Sequence, residues 1–229
     1  MAKHTVRLLN QQPIALRTLA FELEKPDGFT FKPGQFIHVT LLNPAETDAE
    51  GNTRSLSLAS APGDDRLMIA TRMRDTAYKR VLHSLPPGTE VAIKGPFGNF
   101  TLHSDMQRPA VMIAGGIGIT PFRGMVRRVV QEKLPYRMFL FYSNRRAEDA
   151  AFLDELQTLA AGNPNFTFVP VMTAVDGHLS VDAIHARVGD VAPVYYVVGP
   201  PAMSDGMRGA LEAAGIGDDD IRAEEFGGY

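Results

Sequence analysis

The sequence has 229 residues, of which 45% are apolar, and its 26 acidic against 23 basic side chains leave a formal charge of −3. This length is sufficient for two domains with cores of their own, and the charge balance argues against binding to nucleic acid or to an anionic membrane surface. The absence of cysteine excludes disulfides, thiolate catalysis and cysteine-ligated iron–sulfur clusters within these residues. Redox chemistry here would require an organic cofactor.

The first residues, Met1 to Thr5, are polar, and no apolar run in the sequence is long enough to cross a bilayer. The sequence therefore predicts a cytoplasmic protein that does not bind membranes. The six histidines show no metal-ligand spacing, so no metal site is predicted.

From Thr5 to about Leu102, short apolar or alternating runs are separated by proline, glycine and aspartate. This spacing is typical of a small antiparallel β-barrel. One short helix is predicted at residues 78–84. The predicted strands are 14–23, 36–42, 54–58, 66–71 and 90–94.

Beyond the polar segment 103–108 the hydrophobic period changes, and strands alternate with helices. This order predicts a doubly wound α/β domain with a five-stranded parallel sheet. We place the boundary near residue 105, which divides the chain into domains of residues 1–105 and 106–229. The predicted strands are 111–114, 138–142, 166–172, 194–198 and 221–226, and the predicted helices are 148–161 and those beginning at Thr120, Ser180 and Pro201.

The segment 111–125 is predicted to be a buried strand, a glycine turn and the start of a helix. The turn holds Gly115, Gly116 and Gly118, followed by Thr120 and Pro121. Glycines let backbone N–H groups approach a pyrophosphate at the positive end of a helix, and proline suits the first helical turn. The threonine hydroxyl can cap the helix or bond a phosphate oxygen. The pattern indicates a nucleotide site, with a tight strand-to-helix turn that binds nothing as the alternative.

A second candidate site lies on one predicted strand of the first domain, which carries Arg54, Ser55, Leu56 and Ser57. Alternation puts Leu56 on the face of Arg54, so an apolar ring can lie against Leu56 while the guanidinium holds a phosphate. Ser57 offers a hydroxyl at the edge of that ring. The alternative is an ordinary barrel strand with Arg54 in solvent.

The polar segment 71–80 precedes the predicted short helix. Thr76 can cap that helix, whose first N–H groups suit a phosphate, with cations nearby. A solvated basic face with a capping threonine is the alternative. The candidate ligands of this segment are Thr71, Arg72, Arg74, Thr76, Ala77, Tyr78 and Lys79.

Together the two halves resemble the ferredoxin–NADP reductase superfamily, the two-domain flavin-dependent NAD(P)H oxidoreductases, over almost the whole chain. The nicotinamide-domain motif of that superfamily, Gly-Gly-x-Gly-x-Thr-Pro, is matched without a gap at residues 115–121. Its flavin motif, Arg-x-Tyr-Ser-x-x-Ser, is matched at Arg54, Ser57 and Ser60, whereas Leu56 stands at the tyrosine position. Segments 76–79 and 95–98 resemble its second flavin segment and the end of its barrel.

The resemblance implies that FAD lies across the barrel, with Arg54 on its pyrophosphate and Ser57 near the hydride-accepting N5 of the isoalloxazine. Leu56 is expected to pack on the ring in place of the tyrosine. Segment 71–79, with Tyr78 as a stacking residue, is expected to meet the adenine or the AMP phosphate. FMN is the alternative if this segment is too short to do so.

In the second half, Gly199, Pro200 and Met203 resemble the superfamily segment Cys-Gly-Pro-x-x-Met, which lies beside the nicotinamide. Val198 stands at the cysteine position, so hydride transfer would depend on ring placement rather than on a thiol contact. A helix start without a ligand is the alternative.

The last residues of the sequence also resemble the superfamily, in which a terminal aromatic side chain covers the flavin ring. Phe226 and Tyr229 are the candidates, and Glu225 is a candidate for tuning or relaying protons if it is partly desolvated. A frayed, solvated tail is the alternative.

The choice of nicotinamide cofactor depends on ligands for a 2′-phosphate. NADP-using relatives commonly place Ser-Arg after the third strand of the sheet, where this chain has Thr173-Ala174, so NADH is favoured over NADPH. Ser143, Arg145 and Arg146 follow the second strand, where either arginine is an alternative phosphate ligand or a solvated loop charge.

The function implied by the resemblance is hydride transfer between NAD(P)H and FAD, followed by passage of electrons to a separate protein. The expected partner is a ferredoxin- or flavodoxin-like carrier or an oxygenase component, because no cluster can be ligated by cysteine in these residues. One alternative is a diaphorase or flavin reductase acting on small acceptors. Another is a flavin-bearing electron-relay subunit without turnover of its own.

Overall fold

The computed structural model describes residues 3–189 and 191–226. Two sheets organise these residues. The interior of the first sheet is filled by one apolar cluster, and the two faces of the second sheet are covered by two others. The cluster on one face of the second sheet also includes Ala20, Ala59 and Ala70 of the first domain, so the two domains share a continuous apolar contact.

The first sheet is antiparallel, with strand order β4-β3-β6-β1-β2-β5. A bridge between Leu58 and Ile69 joins its two ends, which confirms the predicted barrel. Alternate residues of the strands, such as Ile37 and Val39, point into the barrel and are fully buried. The elements are β1 (Lys3–Ala15), β2 (Thr18–Glu24), β3 (Phe36–Leu41), β4 (Thr53–Ser57), β5 (Arg66–Arg72), α1 (Ala77–Ser84) and β6 (Glu90–Phe97).

The predicted strand 14–23 is wrong, because the chain reverses at Leu16 and Arg17 between β1 and β2. Arg17 adopts a φ of 52°, a left-handed conformation that an arginine side chain does not signal in the sequence. Most of β1 was not predicted, because its largely exposed and polar side chains lack the apolar alternation of the other strands. Likewise β6 continues to Phe97 instead of ending at residue 94.

The second sheet is parallel, with strand order β11-β10-β7-β8-β9, which confirms the predicted five-stranded doubly wound domain. Its strands are β7 (Ala110–Gly115), β8 (Met138–Asn144), β9 (Phe166–Met172), β10 (Val194–Gly199) and β11 (Ile221–Glu225). Its helices are α2 (Ile119–Gln131), α3 (Leu153–Ala161), α4 (Thr173–Asp176), α5 (Val181–Val188) and α6 (Pro201–Ala213). The domain boundary near residue 105 falls in the segment between β6 and β7 and stays a prediction.

The predicted helix 148–161 is too long at its start. A single 3₁₀ turn at Ala147–Asp149 comes first, and α3 begins only after Phe152, which has a φ of 60°. The Phe152 ring lies under the guanidinium of Arg123, with the carbon of that group 4.6 Å from the ring centroid. Arg123 and Phe152 are distant in the chain, so the local helical pattern shows neither this contact nor the late start of α3.

Helix α2 packs directly on the barrel. Its buried Arg123 donates to the Ala59 carbonyl at 2.6 Å and to both oxygens of Glu155 at 2.8 and 2.9 Å. A Cβ atom on Gly124 would lie only 2.8 Å from the carbonyl oxygen of Ser60, so the backbones of the two domains meet at this point. These contacts hold the carboxyl ends of the parallel strands against one end of the barrel.

No helix within residues 3–189 and 191–226 combines the length and the hydropathy needed to span a bilayer.

Candidate functional site

A cleft of about 600 Å³ takes side chains from both domains, a volume within the usual range for small-molecule and cofactor sites. The barrel contributes residues from β3, β4, β5 and α1, and the second domain contributes residues from α2 and the end of β11. The lining residues that the sequence predicted are Arg54, Ser55, Leu56, Ser57, Thr71, Arg74, Thr76, Tyr78, Lys79, Thr120, Glu225 and Phe226. Those that it did not predict are Phe36, Glu50, Ala70 and Glu224.

One end of the cleft is cationic. Arg54, Arg74 and Lys79 line it, and Thr76 caps α1 by accepting a hydrogen bond from the Lys79 N–H at 3.4 Å. The Lys79 ammonium donates to the Arg72 carbonyl at 2.7 Å, and burial together with the nearby Arg74 lowers the pKa of Lys79 to about 8. Clustered cations beside a helix N-terminus suit a phosphate or pyrophosphate group.

Arg54 is not solvated, so that alternative reading of the sequence is wrong. Its side chain is 19% exposed, with Nη2 2.8 Å from Oε2 of Glu50 and 3.6 Å from Oδ1 of Asp48. It also donates to the carbonyl oxygens of Glu50 and Gly51, each at 3.0 Å. The guanidinium is therefore held in the cleft by the loop that precedes β4.

Tyr78 does not have the stacking position predicted for it. It is 2% exposed, its hydroxyl donates to the Val39 carbonyl at 3.1 Å, and its ring lies 4.9 Å from the guanidinium carbon of Arg54. Burial raises the pKa of this hydroxyl above its ordinary value. Because Arg54 covers the ring, Tyr78 supports the arginine and does not stack on an adenine.

Two serines of the predicted flavin motif have different positions. Ser57 is 7% exposed, lines the cleft and pairs in register with Phe36 of β3. Ser60 is fully buried outside the cleft, where its hydroxyl accepts from the Met68 N–H at 3.0 Å. Leu56 lines the cleft beside Arg54 and packs on the barrel core, as the alternation predicted.

The glycine turn lies at the carboxyl ends of β7 and β10. The chain runs outward from β7 through β8 to β9 and then returns to β10 on the other side of β7, which makes this crevice the topological switch point where α/β sheets bind ligands. A Cβ atom on Gly118 would lie 2.4 Å from the Val198 carbonyl oxygen, and one on Gly115 would lie 2.2 Å from the Met203 sulfur. Gly116 has a φ of 53°.

Helix α2 begins at Ile119, one residue before the predicted start. Thr120 is 1% exposed, and its hydroxyl donates to the Ile117 carbonyl at 3.1 Å, so it does not cap the helix. Thr120 nevertheless lines the cleft together with the barrel residues, and Pro121 lies in the first turn of α2 as expected. The start of α2 therefore lines the same cleft as β4 of the barrel.

At the end of β11 the buried carboxyl group belongs to Glu224, which sequence reasoning missed in favour of Glu225. Alternation leaves Glu225 exposed and Glu224 half-buried, and burial raises the pKa of Glu224 from 4.5 to about 7. The sequence signal for Glu224 was the two-residue period of the strand, which places it on the same face as Arg222, and both side chains are half-buried. Phe226 lines the cleft, and its N–H donates to the Gly199 carbonyl at 3.2 Å. Tyr229 lies outside the described residues.

A second groove of about 590 Å³ adjoins the glycine turn between α5 and α6. It includes the predicted Ser143 and Met203, together with His178, Leu179 and Met207, which were not predicted. Met203 also packs on the turn, since its sulfur would lie 2.9 Å from a Cβ atom on Gly199.

Several predicted ligands line neither cavity, among them three of the predicted arginines. Arg145 and Arg146 are exposed, and Arg146 pairs with Glu148 at 3.4 Å. Arg72 instead donates to the Asp149 carbonyl at 3.4 Å across the domain interface. Within the part of the chain that the structure describes, no group of three or more histidine, cysteine, aspartate or glutamate side chains could hold a metal ion.

Residues 112–209 match the model of the oxidoreductase NAD-binding domain family. The chain is 29% identical over 217 residues to the propane 2-monooxygenase reductase component of Rhodococcus jostii strain RHA1, covering 88% of this chain and 57% of that protein. It is 32% identical over 166 residues to ferredoxin–NADP reductase B of Sorangium cellulosum strain So ce56, covering 71% of this chain and 66% of that protein. The chain thus spans about three fifths to two thirds of the length of these curated relatives.

Among solved structures, the cytochrome P450 reductase GcoB of Amycolatopsis superposes with a TM-score of 0.83 at 26% identity, over 98% of this chain and 70% of that one. A ferredoxin–NADP⁺ reductase from Neisseria gonorrhoeae, solved with bound FAD and NADP, shares the fold with a TM-score of 0.82 at 20% identity, over 97% of this chain and 98% of that one. The barrel, the parallel sheet and the glycine turn at its switch point agree with these similarities, and the chain belongs to the ferredoxin–NADP reductase superfamily.

Proposed function

We propose that this chain is a reductase that binds FAD in the interdomain cleft, accepts hydride from NAD(P)H and passes electrons to a separate protein. The observation that carries the proposal is a single cleft to which both domains contribute. Its barrel side offers cations and a capped helix, and its other side is built from the start of α2 and the end of β11. Bound FAD would supply two-electron acceptance from a nicotinamide and one-electron release to a carrier.

The residues fit such a cofactor. Arg54, Arg74 and Lys79 supply positive charge for a pyrophosphate, and Leu56 supplies an apolar contact for a ring. Ser57 lines the cleft, and its hydroxyl would donate to a ring nitrogen of the bound flavin. With Val198 in place of a thiol, orientation of the two rings depends on the packing of the glycine turn.

For the nicotinamide we propose NADH rather than NADPH. The segment after β9 has Thr173 and Ala174 without an arginine, and Arg145 and Arg146 line neither cavity. A 2′-phosphate would therefore meet few of the bidentate donors that select it.

For the electron acceptor we propose an oxygenase component or a ferredoxin- or flavodoxin-like carrier, supported by relatives that are reductase components. A Pseudomonas putida relative, 26% identical over 96% of this chain, is an electron transfer component of toluate 1,2-dioxygenase. The alternative activity, reduction of small acceptors, would show full turnover with a dye and no gain from any added carrier protein.

The test is an anaerobic titration of the purified, FAD-loaded chain with NADH and separately with NADPH, followed in the visible spectrum. We expect NADH to bleach the flavin absorbance and NADPH to do so more slowly. A protein that binds FAD but is bleached by neither nucleotide would be an electron-relay subunit, and a chain that binds neither FAD nor FMN would refute the proposal.

Replacement of Arg54 by glutamine is expected to weaken FAD binding about ten- to hundredfold, since a hydrogen bond to a charged group contributes about 1.5–3 kcal/mol. The dissociation constant can be measured by quenching of flavin fluorescence. Arg66→Gln is the matched control, because Arg66 is an exposed arginine that pairs with Glu22 outside the cleft. Equal losses in the two variants would argue against a phosphate contact at Arg54.

A stability difference that depends on pH is expected at Glu224. The folded chain keeps this carboxyl protonated up to about pH 7, because its pKa is raised from 4.5 to about 7 by burial. The contribution of the protonated Glu224 carboxyl to the free energy of unfolding is fully present below pH 4.5. It is lost as the pH rises to about 7. Other charged groups share the cleft. They are Glu50, Arg54, Arg74, Lys79 and Glu225.

Urea unfolding at several pH values measures this effect. The free energy of unfolding of the unmodified chain should fall, relative to that of Glu224→Gln, across the interval from pH 4.5 to 7. The control Glu225→Gln, at the exposed neighbouring position, should run parallel to the unmodified chain. A Glu224→Gln curve parallel to both would contradict the raised pKa.

A further inference from the structure

The acidic loop, residues 42–52 between β3 and β4, lies beside the cationic end of the cleft. It carries Glu46, Asp48 and Glu50 and no basic residue. All three of these residues are exposed. The loop is therefore a strongly negative segment next to groups that suit a phosphate.

Asp48 and Glu50 contact those groups directly. Oδ2 of Asp48 accepts from the N–H of Ala77, the first residue of α1, at 3.1 Å. Oδ1 of Asp48 and Oε2 of Glu50 lie 3.6 and 2.8 Å from Nη2 of Arg54. Two carboxylates thus neutralise the arginine, and one of them also meets the positive end of the helix.

Glu46 fastens the outer part of the same loop. Its carboxylate pairs with Arg80 of α1 at 2.6 Å, outside the cleft. The loop is consequently attached to α1 at two points, one at the helix start and one a turn further along. The attachment at Arg80 is an exposed ion pair and the one at Ala77 is a single hydrogen bond, so each is weak. The loop can therefore leave the helix without exposing an apolar core.

We propose that the acidic loop is a latch whose carboxylates occupy Arg54 and the N-terminus of α1 in competition with the pyrophosphate of FAD. Carboxylates and phosphates use the same donors, a guanidinium and helix N–H groups, so both anions cannot hold them fully at once. FAD binds with release of Asp48 and Glu50, and the latch sets how readily the flavin is retained or exchanged. This inference rests on the proposed FAD site.

The experiment compares flavin binding to the full chain, freed of flavin, with binding to Asp48→Asn/Glu50→Gln. Binding is followed by the quenching of the fluorescence of FAD and of riboflavin. Removing both charges should lower the dissociation constant for FAD about three- to tenfold, the range that weak ion pairs can supply. Riboflavin has no phosphate, so its affinity should not change. Added salt should reduce the difference for FAD.

The control is Glu22→Gln/Glu132→Gln, which removes two charges paired with Arg66 and Arg128 outside the cleft. Its affinity for FAD should stay close to that of the unmodified chain, and Glu50→Gln alone should give a smaller gain than the double latch variant. Unchanged or weaker FAD binding in the latch variant, an equal gain for riboflavin, or an equal gain in the control would overturn the latch while leaving the FAD site in place. Failure of every protein to bind FAD would overturn the proposed function as well.

Discussion

Gly118→Ala is expected to slow reduction of bound flavin by NADH about a hundredfold, since a misplacement of about 1 Å at a reacting centre can cost that much. It should also lower the free energy of unfolding by about 1–3 kcal/mol, the usual cost of overpacking. The added Cβ atom would lie 2.4 Å from the carbonyl oxygen and 2.8 Å from the carbonyl carbon of Val198. Both are backbone atoms of β10, so relief requires the glycine turn and β10 to separate.

Rapid mixing with NADH and urea unfolding measure the two effects. Gly209→Ala is the matched control, because Gly209 lies inside α6, lines neither cavity, and a Cβ atom there would have no neighbour within 4 Å. That variant should keep its rate and gain up to about 1 kcal/mol from improved helix propensity. A Gly118→Ala protein with an unchanged reduction rate would show that the distance between the glycine turn and β10 does not govern hydride transfer.

Arg123→Met is expected to lower the free energy of unfolding by about 1.5–3 kcal/mol, the cost of losing hydrogen bonds to a charged group, because Glu155 is 28% exposed and keeps its pair with Arg127. Arg123 is 6% exposed and connects α2 to Glu155 of α3 and to the Ala59 carbonyl of the barrel. Burial lowers the pKa of the guanidinium, and the Glu155 carboxylate opposes that shift. Its removal leaves Glu155 with only the partly exposed Arg127.

Urea unfolding, followed by probes in each domain, tests whether the contacts of Arg123 stabilise the packing of the two domains. Arg128→Met is the control, since Arg128 lies on the same helix in an exposed pair with Glu132 and should lose at most about 0.5 kcal/mol. If the two variants lose equal stability, the hydrogen bond from Arg123 to the Ala59 carbonyl does not hold the domains together.

Much of the fold could be predicted because it depends on local patterns. The continuously apolar β7 and β8, separated by an amphipathic helix, require a parallel sheet covered on both faces. Apolar residues alternate with other residues along β3, which is typical of a strand with only one face packed on a core. Two of the errors occurred where a residue adopts a left-handed conformation without being glycine, at Arg17 and Phe152.

The site was predictable to the extent that its motifs are contiguous. Ser57, Thr120 and Phe226 were all found in segments with their own signals, and the structure places them in one cleft. Tyr78 was assigned a wrong role, because its contact with Arg54 joins two separate elements.

The sequence by itself determined two domains of different hydrophobic period, a glycine turn before a helix, and the types of residue that we propose bind a flavin and a nicotinamide. Only the tertiary structure decided how strongly Glu224 is desolvated at the end of β11, which partners hold Arg54, and how α2 packs on the barrel. The physical reason is that periodicity and turn chemistry act between neighbours in the chain. Desolvation of Glu224, the ion pairs of Asp48 and Glu50, and the contacts of Arg123 all arise between residues that only folding brings together.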